Sequence, residues 1–179
     1  MRTRLMRLQR TIPATAVSLL LICLLYMAMT HPHLPDRMAV HFNVHGEPDG
    51  WSNKSSFFVW YSLVVVGINV LFLVLLPFLL GVIPDSLINL PWKEYWFSSP
   101  ERKKQALDRI RVFFYLICAH INAVFLTAYH IVVQENTPDP LFRIPVKIFI
   151  AVCIISASII TFVGLILCTK PPKTASETG

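Results

Sequence analysis

Four long stretches rich in Leu, Ile, Val and Phe recur along the chain, and they constrain its fold more than any motif does. Ile12–Thr30 and Phe57–Ile83 carry no Asp, Glu, Lys or Arg. Ile110–Val133 and Val146–Cys168 carry one basic residue each, Arg111 and Lys147, next to their first position. About 20 apolar residues at ~1.5 Å rise cross a ~30 Å hydrocarbon core, and there only a helix satisfies all of its own backbone donors and acceptors. The expected fold is an all-α integral membrane protein with four transmembrane helices over about 12–30, 57–83, 110–133 and 146–168. A basic segment, 1–11, precedes this single domain of 12–168, and a polar tail, 169–179, expected to be disordered, follows it. The first run is longer than a secretory signal core and lacks a small-x-small cleavage site, so it is read as a retained helix. An apolar content of 55% agrees with this class.

A net charge of +6 raises the question of nucleic acid, and the distribution of the charge answers it. Arg2, Arg4, Arg7 and Arg10 precede the first run, Lys93, Arg102, Lys103, Lys104, Arg109 and Arg111 crowd the middle interval, and Lys170 and Lys173 follow the last run. Only Arg37, Lys54, Arg143 and Lys147 occupy the alternate compartments. This is the positive-inside pattern: N- and C-termini cytoplasmic, no nucleic-acid partner, and a multi-pass location in a cell inner membrane. Trp60 and Tyr61 would mark the outer boundary and Trp92, Tyr95 and Trp96 the inner one. Cys23, Cys118, Cys153 and Cys168 all lie inside apolar runs and read as small hydrophobes, not as a disulfide or zinc set.

The first polar interval carries the densest signal, His41-Phe-Asn-Val-His-Gly-Glu-Pro-Asp-Gly-Trp51. From Arg37 to His45 apolar and polar residues alternate, the period of a half-buried strand, with Met38, Val40, Phe42 and Val44 on one face and Ala39, His41, Asn43 and His45 on the other. Gly46 to Gly50 has turn chemistry in Pro48, Asp49 and Gly50. The expectation is a short extracytoplasmic strand-turn segment between the first two helices. On a strand His41 and His45 are ~13 Å apart, so they do not chelate one ion together, and no metal or other cofactor is expected. Ser52, Asn53, Ser55 and Ser56 offer caps for the second helix, and Pro77 should kink it. In the middle interval, Asp85 to Phe97 mixes aromatic and charged residues as a cytoplasmic interfacial helix would. Ser99-Pro100-Glu101 then starts a helix that can run straight into the third span.

These residues resemble a known pattern. Leu34, Pro35, His41, Phe42, Asn43, Gly46, Asp49, Gly50, Trp51, Ser52 and Lys54 are similar to the motif of the uncharacterised bacterial membrane domain that opens the SdpI-type bacteriocin-immunity proteins, with Asn53 inserted between its Ser and Lys. Asn89, Pro91, Tyr95 and Trp96, followed by Pro100-Glu101-Arg102, resemble short members of the same group. The resemblance implies a bacterial multi-pass membrane protein. Immunity and signalling attach to longer members with further C-terminal spans. His41, Asn43, Gly46, Asp49, Gly50 and Trp51 then become a candidate partner surface, and Asn89, Pro91, Tyr95 and Trp96 a cytoplasmic motif.

Polar residues within the spans form a second candidate site, because each is costly in hydrocarbon. Asn69, His120 and Asn122 fall near mid-span, with Ser156 and Ser158 at similar depth. They read either as interhelical hydrogen bonds or as a midplane cluster in a small transporter or proton-sensing bundle. No span contains an acid, which disfavours carboxylate-driven transport. No catalytic triad, phosphate loop or dinucleotide fingerprint is present, so a non-enzymatic role is expected: an accessory, sensor or immunity-like factor that meets the lipid bilayer and a peptide or membrane-protein partner.

Overall fold

A computed structural model describes residues 2–140 and 142–169. The tail 170–179, with Lys170 and Lys173, lies outside the described residues, as does the side chain of Cys168. Helix α1 (Arg2–Thr30) runs into a single 3-10 turn at His31–His33 and then a two-stranded antiparallel hairpin, β1 (Arg37–Phe42) and β2 (Pro48–Asn53). Helix α2 (Lys54–Val70), a π-helical turn (Leu71–Leu75) and α3 (Leu76–Val82) form one continuous rod. A 3-10 turn (Asp85–Leu87) and α4 (Lys93–Trp96) lead into α5 (Pro100–Asn136), and α6 (Val146–Thr169) ends the described chain. Among the described residues, four helical rods are long and apolar enough to cross a membrane, as the hydropathy demands. Their order is up, down, up, down, with the hairpin at one end and the Trp96 segment at the other.

Local chemistry sets the element ends. Asn53 caps α2, its Oδ1 accepting from the Ser55 and Ser56 N–H groups at 2.9 and 3.5 Å. Pro77 has no N–H for the Leu73 carbonyl, and the ladder immediately before it widens into the π turn, so the expected kink takes the form of a one-turn bulge. Ser99 accepts from the Arg102 N–H at 3.3 Å with Pro100 in the first helical position, and α5 then continues for 37 residues, ~55 Å, without a break. The polar start at Pro100 and the third span are one helix, as expected. The first helix begins at Arg2 and takes in the basic segment, and the second begins at Lys54, on the cap, so both helices extend past the expected membrane spans of about 12–30 and 57–83. One expectation needs correction. The interfacial helix shrinks to the single turn α4, because Pro91 and the left-handed Trp92 (φ 60°) interrupt the preceding residues.

The core is a narrow seam. Ala16, Cys23 and Met27 of α1 meet Cys118, Asn122, Tyr129 and Val133 of α5, with Val65 and Asn69 of α2 beside them, and all are buried. Spacings of four and seven residues keep these positions on one side of each helix, and the small side chains at Ala16, Cys23 and Cys118 allow close approach. Elsewhere large apolar side chains point outward, including Leu21, Leu25, Trp60 and Phe78. A continuous apolar exterior of this kind is a lipid-facing surface.

Among the described residues, helix α6 makes its substantial contact with α5. At its far end Gly164 lies under the Phe113 ring, and a Cβ there would fall 1.9 Å from the ring edge. Gly164→Leu is therefore expected to push α6 away and cost about 1–3 kcal/mol in thermal unfolding, with most of the loss recovered when Phe113→Ala is added. An equal loss in both backgrounds would contradict this packing.

Candidate functional site: the hairpin and the polar contacts beneath it

The hairpin follows from a few side chains with specific tasks. Asn43 builds its turn: Oδ1 accepts from the His45 and Glu47 N–H groups at 2.9 and 3.0 Å, and Nδ2 donates to Glu47 Oε2 at 2.9 Å. Gly46 supplies the left-handed residue, φ 87°, that this loop requires. The turn thus spans Asn43 to Glu47 rather than Gly46 to Gly50, and β1 stops at Phe42. Pro48 opens β2, where a strand tolerates a missing donor. Asn43 and His45 belong to the loop, so they do not share a strand face with His41.

Gly50 stands opposite His41 across the ladder, and a Cβ on Gly50 would lie 2.8 Å from the His41 Cβ. The missing side chain lets His41 lie against the strand, where its Nδ1 meets Asp49 Oδ1 at 2.5 Å. This pair is open to solvent, with His41 74% and Asp49 44% exposed at the side chain. Trp51 is also exposed. At the base of the hairpin Lys54 ties its two ends, Nζ donating to the Leu34 carbonyl and pairing with Asp36, both at 3.1 Å, while its own N–H donates to the Asp36 carbonyl at 2.9 Å.

Asn136, near the end of α5, holds the hairpin onto the bundle. Its Oδ1 accepts from the Ala39 N–H at 2.9 Å, and its Nδ2 donates to the Ala39 and Val132 carbonyls at 2.8 and 2.7 Å. The side-chain amide occupies the free edge of β1 as the peptide group of a neighbouring strand would. Leu34 and Met38 bury against Val132 just below. Asn43, Gly46, Gly50 and Lys54 thus serve the construction of the hairpin, whereas His41, Asp49 and Trp51 lie exposed on it, as do Val44 and His45 of the turn.

Beneath the hairpin lies a layer that sequence reasoning missed. His130 Nδ1 meets the Tyr26 hydroxyl at 2.8 Å, and its Nε2 lies 3.0 Å from the Phe142 carbonyl, which can only accept. Gln134 donates to the Ile144 carbonyl at 2.9 Å and accepts from the Ile144 N–H at 2.7 Å. The loop between α5 and α6 is thus pinned to the last turns of α5. Tyr129 and Thr30 share a hydroxyl contact at 2.8 Å, and the Tyr61 hydroxyl donates to the Phe125 carbonyl at 2.6 Å. The one signal in the sequence was His130 and Gln134 four residues apart on one helical face, but nothing there announces that their partners are loop backbone.

Of the mid-span residues, Asn69 and Asn122 meet and His120 does not. Each amide donates to the other's oxygen, at 2.8 and 2.9 Å, and each spare N–H goes to a backbone carbonyl, Val65 for Asn69 and Ala16 for Asn122, at 2.9 and 2.8 Å. Cys118 Sγ adds a contact to Asn69 Oδ1 at 3.3 Å. Neighbours two apart on a helix point ~200° apart, so when Asn122 faces the seam His120 faces α6. There it lines a groove with Cys153 and Ser156, while the Ser156 and Ser158 hydroxyls bond back to their own helix at Val152 and Ile154.

At the opposite end Trp96 is fully buried among Ile88, Leu90, Ala106 and Leu107 instead of lying in an aromatic belt. Arg109 covers its ring at 4.7 Å, and Arg102 covers Tyr95 at 4.5 Å. Asn89 and Pro91 are exposed. The task of this second motif is thus, at Trp96, to pack the short segment onto the first turns of α5.

Four spanning-length helices, closed at one end by a hairpin, define a multi-pass helical membrane protein. Residues 18–65 match the family model described as Domain of unknown function (DUF1648), which covers the second half of α1, the whole hairpin and the first part of α2. No curated protein and no solved structure matches the chain.

Proposed function

We propose that this chain is a non-enzymatic inner-membrane protein that offers a preformed extracytoplasmic hairpin to a peptide or membrane-protein partner, in an accessory, sensor or immunity-like role. One observation carries the reading: the hairpin residues that could be chemically active are divided between construction and display. Asn43, Gly46, Gly50 and Lys54 hold the backbone, whereas the His41–Asp49 pair and Trp51 stand exposed on a scaffold fastened to α5 through Asn136. A rigid surface with an aromatic anchor and a charge-capable pair binds a partner without loss of loop entropy. The excess of Lys and Arg at the Trp96 end supports cytoplasmic termini and a hairpin on the outer side. Similarity to the SdpI-type motif supports the immunity-like alternative.

The test separates display from construction. Photo-crosslinking groups placed at Val44 and at lipid-facing Leu21 are compared in cells, in the parent and in His41→Ala/Asp49→Ala. The expected result is a discrete crosslinked product from Val44 alone that the double substitution reduces at least tenfold while thermal stability stays unchanged. A product pattern identical in both chains would remove the His41–Asp49 surface from the reading.

A further inference from the structure

The groove between α5 and α6 and the recess above it point to a second site. A cavity of about 390 Å³ runs between the two helices, lined by Ala123, Val124 and Thr127 on one side and Ile148, Val152 and Cys153 on the other. From Ile148 to Ser156 the lining climbs eight helical steps, ~12 Å, close to half of a ~30 Å hydrocarbon core. Below it the Phe113 ring closes on Gly164. A spanning partner helix needs an open face along the whole bilayer, and this groove is open over one leaflet only. At its upper mouth, sharing Ile144, is a recess of about 310 Å³ walled by His45 and Gly46 of the hairpin turn and by Gln134, Glu135, Arg143 and Lys147. Lys147 makes no ion pair among the described residues, and Arg143 reaches only Glu135, at 4.0 Å. The recess keeps one positive charge in excess, at the level where headgroups lie.

We infer that the α5–α6 groove and the Arg143–Lys147 recess bind one anionic glycerophospholipid of the hairpin-side leaflet, with an acyl chain along Ala123–Val152 and the phosphate at the two basic side chains. An apolar trough one leaflet deep beneath a cationic mouth fits that molecule's two ends and spacing. The Gly46 turn forms a wall of the headgroup recess, so the hairpin and the lipid stabilise the same loop. This site does not depend on the partner role assigned to His41 and Asp49.

The purified full chain in detergent is titrated with phosphatidylglycerol or phosphatidylcholine, and bound lipid is counted by native mass spectrometry alongside the melting temperature. Phosphatidylglycerol is expected to bind at one equivalent and raise the melting temperature more than phosphatidylcholine does. Arg143→Gln/Lys147→Gln, both outside the buried seam and therefore harmless to folding, should weaken phosphatidylglycerol on the order of 25-fold, about fivefold per basic residue, and abolish the preference. Ala123→Phe should exclude both lipids. Equal binding of the two lipids to the parent chain, or an undiminished preference in the Gln variant, would overturn the assignment. So would an Ala123→Phe chain that loses self-association instead of lipid.

Discussion

Asn122→Leu is expected to weaken the bundle by about 2 kcal/mol, the largest effect of any single mid-span substitution. Asn122 joins three helices at once: it donates to the Ala16 carbonyl of α1 and exchanges hydrogen bonds with Asn69 of α2 from its place on α5. Its removal strands one Asn69 N–H and one Asn69 oxygen lone pair in a buried seam, and an orphaned polar group costs more than its bond contributed. Asn69→Leu should cost a similar amount for the reciprocal reason. The double substitution should cost clearly less than the sum, since neither amide is then left unpaired. Unfolding by detergent titration measures all three. Strict additivity would show that the two amides do not act as a pair.

Asn136→Ala should leave the helices in place and release the hairpin. It removes the partners of both the Ala39 N–H and the Ala39 carbonyl at the free edge of β1, a local cost of about 1–3 kcal/mol. Hydrogen exchange at the Ala39 amide is expected to accelerate roughly 10- to 100-fold, with the seam amides of α5 near Asn122 unchanged. Asn136→Asp retains the acceptor for the Ala39 N–H but loses both donated bonds, so its effect should fall between. Unchanged exchange in Asn136→Ala would mean that Leu34 and Met38 hold the hairpin without help.

These contacts show how far the sequence reached. The four rods were legible because hydrocarbon imposes one solution on a long apolar run, and Ile12–Thr30 and Phe57–Ile83 are free of charge throughout. The hairpin was legible in kind and misplaced in detail. Pro48-Asp49-Gly50 has the composition of a turn, yet Pro48 satisfies the first position of a strand and Gly50 is needed for its absent side chain opposite His41. Asn43, which closes the turn, also fits the alternation of a strand. Asn69 and Asn122 were legible as mid-span polar residues, and helix geometry alone would have excluded His120 from their company. Asn136 and Gln134 were not legible, because they hold backbone groups of Ala39 and Ile144, and backbone leaves no trace in residue identity; His130 was missed because one partner is the Phe142 carbonyl and the other, Tyr26, lies 104 residues away on another helix.

Helix α6 packs along α5 and meets the hairpin only near Val146, beside Gly46, among the described residues, and this bears on biogenesis. Every side chain of the Asn69–Asn122 junction, the whole hairpin and its Asn136 clamp are encoded upstream of residue 137. A nascent chain can therefore complete a three-rod unit before α6 has been made, and α6 then docks on a surface that already exists. The seam between α5 and α6 is thus the last helix–helix contact the chain can form as it is made.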